Sequence, residues 1–352
     1  AIQKTIDAAR AAGGDAIAYL PSGTYAISDT LRITGKEYFV GGSGWNTRLV
    51  WKGPEGGTMV AVRDPRNVVL EQIAIGNHDS GAMNNGKDIE QTGGGASSMT
   101  YDGVFVYGMY QKQPFRKGLW LSGLGSGAVV LMPHVQGNLR IVDSARATVL
   151  APCTYEGSIV VEGKDPRRDG FLGFLTRLST LTTHGLYVRD NHSITMSDFY
   201  VEQADNGFVF EGAPGDPVGR VTLQGAKVHF LPDKPGGAME IRNYSGSIVV
   251  GHHQFYIEPS AVKITHTGDR VLSLLLLANA FYRTAPALVK EDAARWRLAA
   301  NEGFGFVDGA GKTEAGAAVE DIMAPETPAQ IAGALDDLRR LGELDLRLMH
   351  GG

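Results

Sequence analysis

Short apolar runs separated by turn signals dominate the chain. IAYL (17–20), TYAI (24–27), LRI (31–33), YFVGG (38–42) and RLVW (48–51) are each of strand length, and each is followed by a turn signal. Before them Ile2, Ile6 and Ala9 stand at i, i+4 and i+7, and Gly13-Gly14 follows, where glycine can take the left-handed cap conformation. The spacing predicts a helix over about 2–12. Further along, four segments repeat one plan of a short alternating strand, a turn and a longer strand. Their second strands begin near Ser193, Arg220, Ser247 and Arg270, at intervals of 27, 27 and 23 residues. The runs GLWLSG (118–123), NLRIVD (138–143) and GSIVVEG (157–163) recur at a shorter interval of about 19 residues. Imperfect repeats of this length predict the coils of a solenoid, in which each coil buries its apolar face only against its neighbours.

Three stretches depart from the pattern. Residues 77–101, rich in glycine and asparagine, read as a functional or mobile insertion and not as wall. VLSLLLLANAF (271–281) is too short to span a bilayer and reads as a buried strand or pair of strands. Near the end, Thr327-Pro328 resembles an N-cap and first helical position, with Ile331, Leu335 and Leu338 on one face and Gly342 as the stop. The expected organisation is therefore one solenoid domain over 1–310 and a C-terminal extension over 311–352, with a helix near 328–340.

Composition narrows the picture. Glycine makes up 47 of the 352 residues, about twice the usual 7% and without a collagen-like period, as many tight turns require. A net charge of -5 without any basic run gives no general attraction for nucleic acid or an anionic membrane. The lone Cys153 excludes an intrachain disulfide framework, and neither CxxC nor HExxH spacing occurs, so no metal site is read from motifs. No signal peptide opens the chain, which begins abruptly with AIQKTIDAARAAGG, so a trimmed or mature form stays open.

The opening string AIQKTIDAARAAGGDAIAYLPSGTYAISDTLRITGKEYFVGGSGWNTRLVW resembles the start of the pectate-lyase-like right-handed parallel β-helix proteins. In those a capping helix, a G-G-x-x-V-Y-L-P-x-G-x-Y strand pair and a later G-x-G turn open the solenoid. Gly13, Gly14, Tyr19, Leu20, Pro21, Gly23, Tyr25, Gly42 and Gly44 carry the match. The resemblance implies an all-β fold, a single-stranded right-handed parallel β-helix with an N-terminal capping helix, here followed by a C-terminal helical extension. It implies a polysaccharide or oligosaccharide as partner, a monomer or homotrimer, and a secreted, periplasmic or extracellular setting. Polysaccharide lyases, glycoside hydrolases and tailspike-like proteins all share this fold. After residue 52 the chain departs from the closely spaced aspartates and later Arg-x-Lys of polygalacturonases, so no catalytic residue transfers by resemblance.

Parity supplies candidates instead, since alternate residues of a strand share a face. In SDFYVEQ, Phe199 and Val201 suit the core, which leaves Asp198, Tyr200 and Glu202 outward. In the next coil Ala226 and Val228 face in, with Lys227 and His229 out. One coil later Phe255 and Ile257 face in, with His252, Gln254, Tyr256 and Glu258 out. Matching FYVE to FYIE sets Glu202, His229 and Glu258 in one column, with Asn279 in the fourth coil, while Arg177 and His184 border the same stack. Carboxylates two coils apart would stand about 9.6 Å from each other, near the roughly 6.5–9.5 Å of an inverting glycosidase. Hydrolysis by Glu202 and Glu258, with His229 and Asp198 beside them, is the favoured expectation. Tyr200, Tyr256, Lys227, His252, Gln254, Arg177, His184 and Asn279 are the expected substrate contacts.

The same patch also fits β-elimination on a uronic acid, which needs a base and a cation for the developing charge. Tyr200, Tyr256 or His229 would be the base, and Lys227 or Arg177 the neutraliser. Calcium held by carboxylates such as Asp198 would be the alternative cation, and no other cofactor is expected. A glycan-binding tailspike or adhesin without catalysis is the third reading. Elsewhere the bland reading prevails. Arg189, Glu211, Glu240, Arg242 and Lys263 alternate in sign like a stabilising ladder, KDPRRDG (164–170) reads as an exposed turn, and Trp45, Trp51 and Trp120 read as packing residues.

Overall fold

In the computed structural model the chain divides into two units, Ala1–Thr313 and Glu314–Gly352. The residues described are 1–76, 85–93, 98–107, 118–125, 127–144, 147–150, 152–155, 157–163, 171–174, 177–179, 184–190, 193–197, 200–204, 206–214, 216, 218–225, 227–230, 239–251, 254–256, 263–267, 272–277, 280–282, 287–290, 295–299 and 305–307. The second unit, with the helix expected near 328–340, lies outside them, as does the 164–170 turn.

After one N-terminal helix, α1 (Ile2–Ala12), the described residues form 31 strands, all paired in parallel. They stack as a right-handed β-helix. Each full coil visits three faces in a fixed order. The first face stacks Asn138–Val142, Ile159–Glu162, His184–Val188, Asn206–Glu211 and Met239–Arg242. The second stacks Ala147–Leu150, Phe171–Phe174, Ile194–Ser197, Gly219–Gln224, Gly246–Gly251 and Leu272–Leu277. On the third lie His134–Gln136, Cys153–Tyr155, Arg177–Ser179, Tyr200–Ala204, Lys227–Phe230 and Gln254–Tyr256. The first coils are more continuous, and the 21-residue strand Leu31–Trp51 runs through all three faces.

Like residues stack on like because parallel register repeats the pleat rung after rung. Val188, Phe210 and Ile241 follow one another inside the first face, Leu223, Val250 and Leu276 inside the second, and Val201 and Val228 inside the third. All are at most 1% exposed, and each such burial contributes about 1.5–3 kcal/mol. The 27-residue spacing read from Ser193, Arg220 and Ser247 is one coil. Arg220 pairs with Ser247, and its N–H donates to the Ser193 hydroxyl at 3.0 Å. In the fourth coil Ser273, not Arg270, occupies that position. Some coil joints admit no side chain. Gly246 has φ 138, and a Cβ there would come within 2.0 Å of the Gly219 carbonyl oxygen.

The helix closes the end of the coil stack. Ile6 and Ala9 are buried, Ile2 packs against the core, and the Gly13 N–H donates to the Ala9 carbonyl at 3.0 Å. The Gln3 side chain treats the strand below it as another strand would. Its Nε2 donates to the Arg32 carbonyl at 3.0 Å, and its Oε1 accepts from the Arg32 N–H at 2.8 Å. An edge that would otherwise offer its backbone to another chain is thereby partly occupied.

Two stretches differ from expectation. Most of 77–101 that is described belongs to the wall. Asn85–Thr92 pairs with Gly57–Arg63 and with the strand at Leu119–Leu121, while Ser98–Asp102 pairs with Arg66–Glu71. Ile89, Met99 and Tyr101 supply the inward positions. The alternation is hard to see in sequence because Gln91 also points inward at 1% exposure, where it accepts a hydrogen bond from the Tyr101 hydroxyl at 2.7 Å. Residues 77–84 and 94–97 lie outside the described part. The LLLL run at 274–277 is not wholly buried either. Leu274 and Leu276 face the core, whereas Leu277 is 37% exposed, as the period of two dictates. Among the described residues no helix is long and apolar enough to cross a membrane.

Candidate functional site

The third face carries the candidate column, and register decides who stands beside whom. Cys153 pairs with Arg177, Arg177 with Tyr200, Tyr200 with Lys227 and Lys227 with Gln254. Two residues along the same strands, Ser179 pairs with Glu202, Glu202 with His229 and His229 with Tyr256. These two columns flank Leu178, Val201, Val228 and Phe255. Val201 and Val228 are fully buried, and Tyr200 is half-buried. Successive rungs are about 4.8 Å apart. The face therefore brings Arg177, Tyr200, Glu202, Lys227, His229, Gln254 and Tyr256 onto four neighbouring strands.

One expected neighbour is replaced. The third member of the Glu202 and His229 column is Tyr256, where Glu258 was expected. The likeness of FYVE to FYIE aligned Tyr200 with Tyr256, but hydrogen bonding aligns Tyr200 with Gln254 through Lys227, a shift of two residues. Parity survives a shift of two, whereas column membership does not. A carboxylate pair built on Glu202 with a rung-matched Glu258 thus loses its geometric premise. Asp198, His252, Glu258 and Asn279 themselves lie outside the described residues. His184 is brought to a different face, at the start of His184–Val188, where it pairs with Asn206.

A bulge marks the centre of this patch. Between Tyr200–Ala204 and Lys227–Phe230 the register slips after Glu202, so Ala204 pairs with Phe230 and Gln203 is extra. Bulges re-aim a side chain or end pairing, and they occur often beside functional sites. No spacing in the sequence announces it.

The first face holds a different polar array among the described residues. Arg140 pairs with Glu162, whose other oxygen lies 3.5 Å from Arg189. Arg189 is 3.8 Å from Glu211, Glu211 is 3.4 Å from Arg242, and Arg242 is 2.7 Å from Glu240. The Tyr187 hydroxyl donates to Glu211, and burial first, then this hydrogen bond, push its pKa up to about 12. The Glu240 hydrogen bond raises the pKa of Arg242. Arg140 also lies over the Trp120 ring, 4.6 Å from its centroid. The ladder read from Arg189, Glu211, Glu240 and Arg242 is thus present and longer than expected. Two members, Arg140 and Glu162, escaped notice because they belong to the shorter coils. The Lys263 side chain lies outside the described part.

The tryptophans separate as well. Trp51 is buried at 2% exposure, and its indole N–H donates to the Pro54 carbonyl at 3.0 Å. Trp45, expected to pack internally, is 46% exposed. Its ring meets Phe105 at a centroid distance of 4.3 Å and His134 at 5.7 Å. Among the described residues no group of three or more His, Cys, Asp or Glu converges as metal ligands. The calcium ligand suggested for a lyase, Asp198, lies outside them.

No protein-family model matches the chain, and no curated protein matches it in sequence. Solved structures match in fold. The A-module of the Azotobacter vinelandii mannuronan C-5 epimerase AlgE6 is 15% identical, with a TM-score of 0.51 over 86% of this chain and 93% of that one. The Dettilon tailspike protein is 10% identical with a TM-score of 0.47, over 86% of this chain and 64% of the tailspike, so the chain spans less than two thirds of that protein's length. The endo-xylogalacturonan hydrolase of Aspergillus tubingensis is 12% identical with a TM-score of 0.43, over 88% of this chain and 90% of the hydrolase. The likeness to the epimerase module shows a shared fold and nothing narrower.

Proposed function

We propose that this β-helix acts on an acidic polysaccharide along its third face and cleaves it by β-elimination beside a uronic-acid carboxylate. The observation that carries the reading is the register around the bulge, which sets Glu202, His229 and Tyr256 in one column and Arg177, Tyr200 and Lys227 in the next. Elimination needs those two groupings side by side, a base with a proton donor and a cationic partner for the carboxylate. His229 takes the proton from the carbon next to the carboxylate. The electron pair moves into the carboxylate, where Lys227 and Arg177 offset the added charge. It then returns to form the carbon–carbon double bond as the bond to the glycosidic oxygen breaks, and Tyr256 gives that oxygen its proton. Glu202, one rung from His229, favours the imidazolium that forms during the step. Export of the protein follows from the reading, since such polymers lie outside cells.

The test is product chemistry on polygalacturonate, alginate and a neutral glucan. Elimination yields an unsaturated end that absorbs in the near ultraviolet, whereas hydrolysis yields reducing ends without that absorbance. New reducing ends with no absorbance would replace this reading with the hydrolytic one, and binding with neither product would leave a glycan-binding module.

A further inference from the structure

The exposed indole of Trp45 stands at one end of the same column. On the third face Arg48 pairs with Ala74, Ala74 with Phe105, Phe105 with His134 and His134 with Cys153, and Cys153 pairs with Arg177. One unbroken register row therefore runs from Arg48 to Gln254. Ala74 alternates with the buried core residues Ile73 and Ile75 and so points outward, yet it is only 2% exposed. A small side chain at that rung leaves room for Trp45 to reach past it onto Phe105.

The indole is held in place from beneath and from its own backbone. Phe105 and His134 back it, tilted by 41° and 59°. The bend GGSGWNT that presents it is fixed by Thr47, which is 0% exposed. The Thr47 hydroxyl accepts from the Ser43 N–H at 2.9 Å and lies 3.0 Å from the Leu20 carbonyl to which it donates. Tyr19 and Ser43 share a further hydrogen bond at 2.7 Å, and Arg48 Nε donates to the Trp45 carbonyl at 3.1 Å. Gly42 leaves Thr47 its place, since a Cβ there would fall 2.7 Å from it, and Gly44 takes φ 62. An aromatic side chain that is about half exposed yet already ordered loses little entropy when it binds. Its neighbours Asn46 and Arg48 are exposed polar groups.

We infer that Trp45 is a stacking platform for a pyranose ring, and that it holds a distal sugar of the polysaccharide whose reacting linkage lies near Tyr200 and Lys227. This rests on the proposed function for its substrate class. Phe105 and Tyr200 are four rungs apart, about 19 Å, so a chain laid along the row would reach both only if it were several sugars long. A pyranose offers an apolar C–H face to the indole and equatorial hydroxyls at its rim, which suits an aromatic bordered by Asn46 and Arg48.

The test compares wild type with Trp45→Ala and Trp45→Phe on polygalacturonate and alginate, with a neutral glucan and a uronate trimer alongside. Affinity electrophoresis should show Trp45→Ala binding a uronate polymer about tenfold more weakly, a stacking contact's worth, with Trp45→Phe in between. The trimer, too short to span the row, should be cleaved equally by all three. In wild type the polymer should shield Trp45 from N-bromosuccinimide oxidation, read by peptide mass, with buried Trp51 as the internal reference. This readout needs no variant to fold. Polymer binding that depends on Trp45 without any cleavage would sustain the platform while removing the elimination reading. Cleavage with equal binding by wild type and Trp45→Ala, unshielded Trp45, or no polymer binding by wild type would each overturn the platform.

Discussion

The first and third faces carry the same kinds of residue in different orders. On the first, charge alternates from rung to rung, so that Glu162 sits between Arg140 and Arg189, and Glu211 between Arg189 and Arg242. Every one of these charges is met by a neighbour. On the third, the row runs Arg177, Tyr200, Lys227, with Glu202, His229 and Tyr256 beside it, and no such alternation occurs. A ladder that satisfies itself stabilises the stack and has little left for a ligand. The third-face row places its basic residues one rung from Tyr200, with no acid between them in the row, and the neighbouring column contains the bulge.

Breaking the third face should have the larger effect on activity. Lys227→Ala should lower formation of unsaturated product by about a hundredfold or more, with circular dichroism unchanged, and Glu202→Gln should lower it by less. Equal activity in both would leave the third face a mere wall. On the first face Glu162→Gln should reduce stability in urea by about 1–2 kcal/mol without changing product formation per folded molecule. The carboxylate is 8% exposed, and its removal leaves Arg140 and Arg189 side by side. Arg189→Ala should cost less, about 0.5 kcal/mol, because that side chain is 44% exposed and solvent screens it.

The smallest effect concerns pH. Tyr187 ionises at about 12 when folded against 10.0 as the ordinary value, so the folded state holds the proton more tightly. Its contribution to stability is intact below pH 10 and is lost as pH rises toward 12, where the unfolded chain has already released the proton. Burial raises Tyr101 and Tyr244 in the same direction. Alkaline melting curves of Tyr187→Phe should accordingly show a shallower fall across that window, not a flat one.

Reading the sequence recovered the β-helix from particular strings. The helix 2–12, the 27-residue coil through Ser193, Arg220 and Ser247, and the inward places of Val201 and Val228 all depend on local period and appear in the structure. The candidate site was legible only as far as parity reaches. Which residues face out follows from a period of two within one strand. Which outward residues are neighbours depends on register between strands dozens of residues apart, and there the likeness of FYVE and FYIE pointed to Glu258 where hydrogen bonding sets Tyr256. The wall strands hidden in 77–101 were masked by a buried Gln91, whose polarity makes sense only beside Tyr101.

Local pattern repeated from coil to coil thus pointed to a solenoid, because each coil repeats the same alternation, and the resemblance of the opening string pointed to its kind. Three further features were decided by the tertiary structure: the Tyr256 register, the bulge after Glu202, and the exposure of Trp45 on Phe105. Each joins residues from different coils. The energy that fixes such contacts comes from stacking and backbone pairing between rungs, which no single stretch of the chain contains.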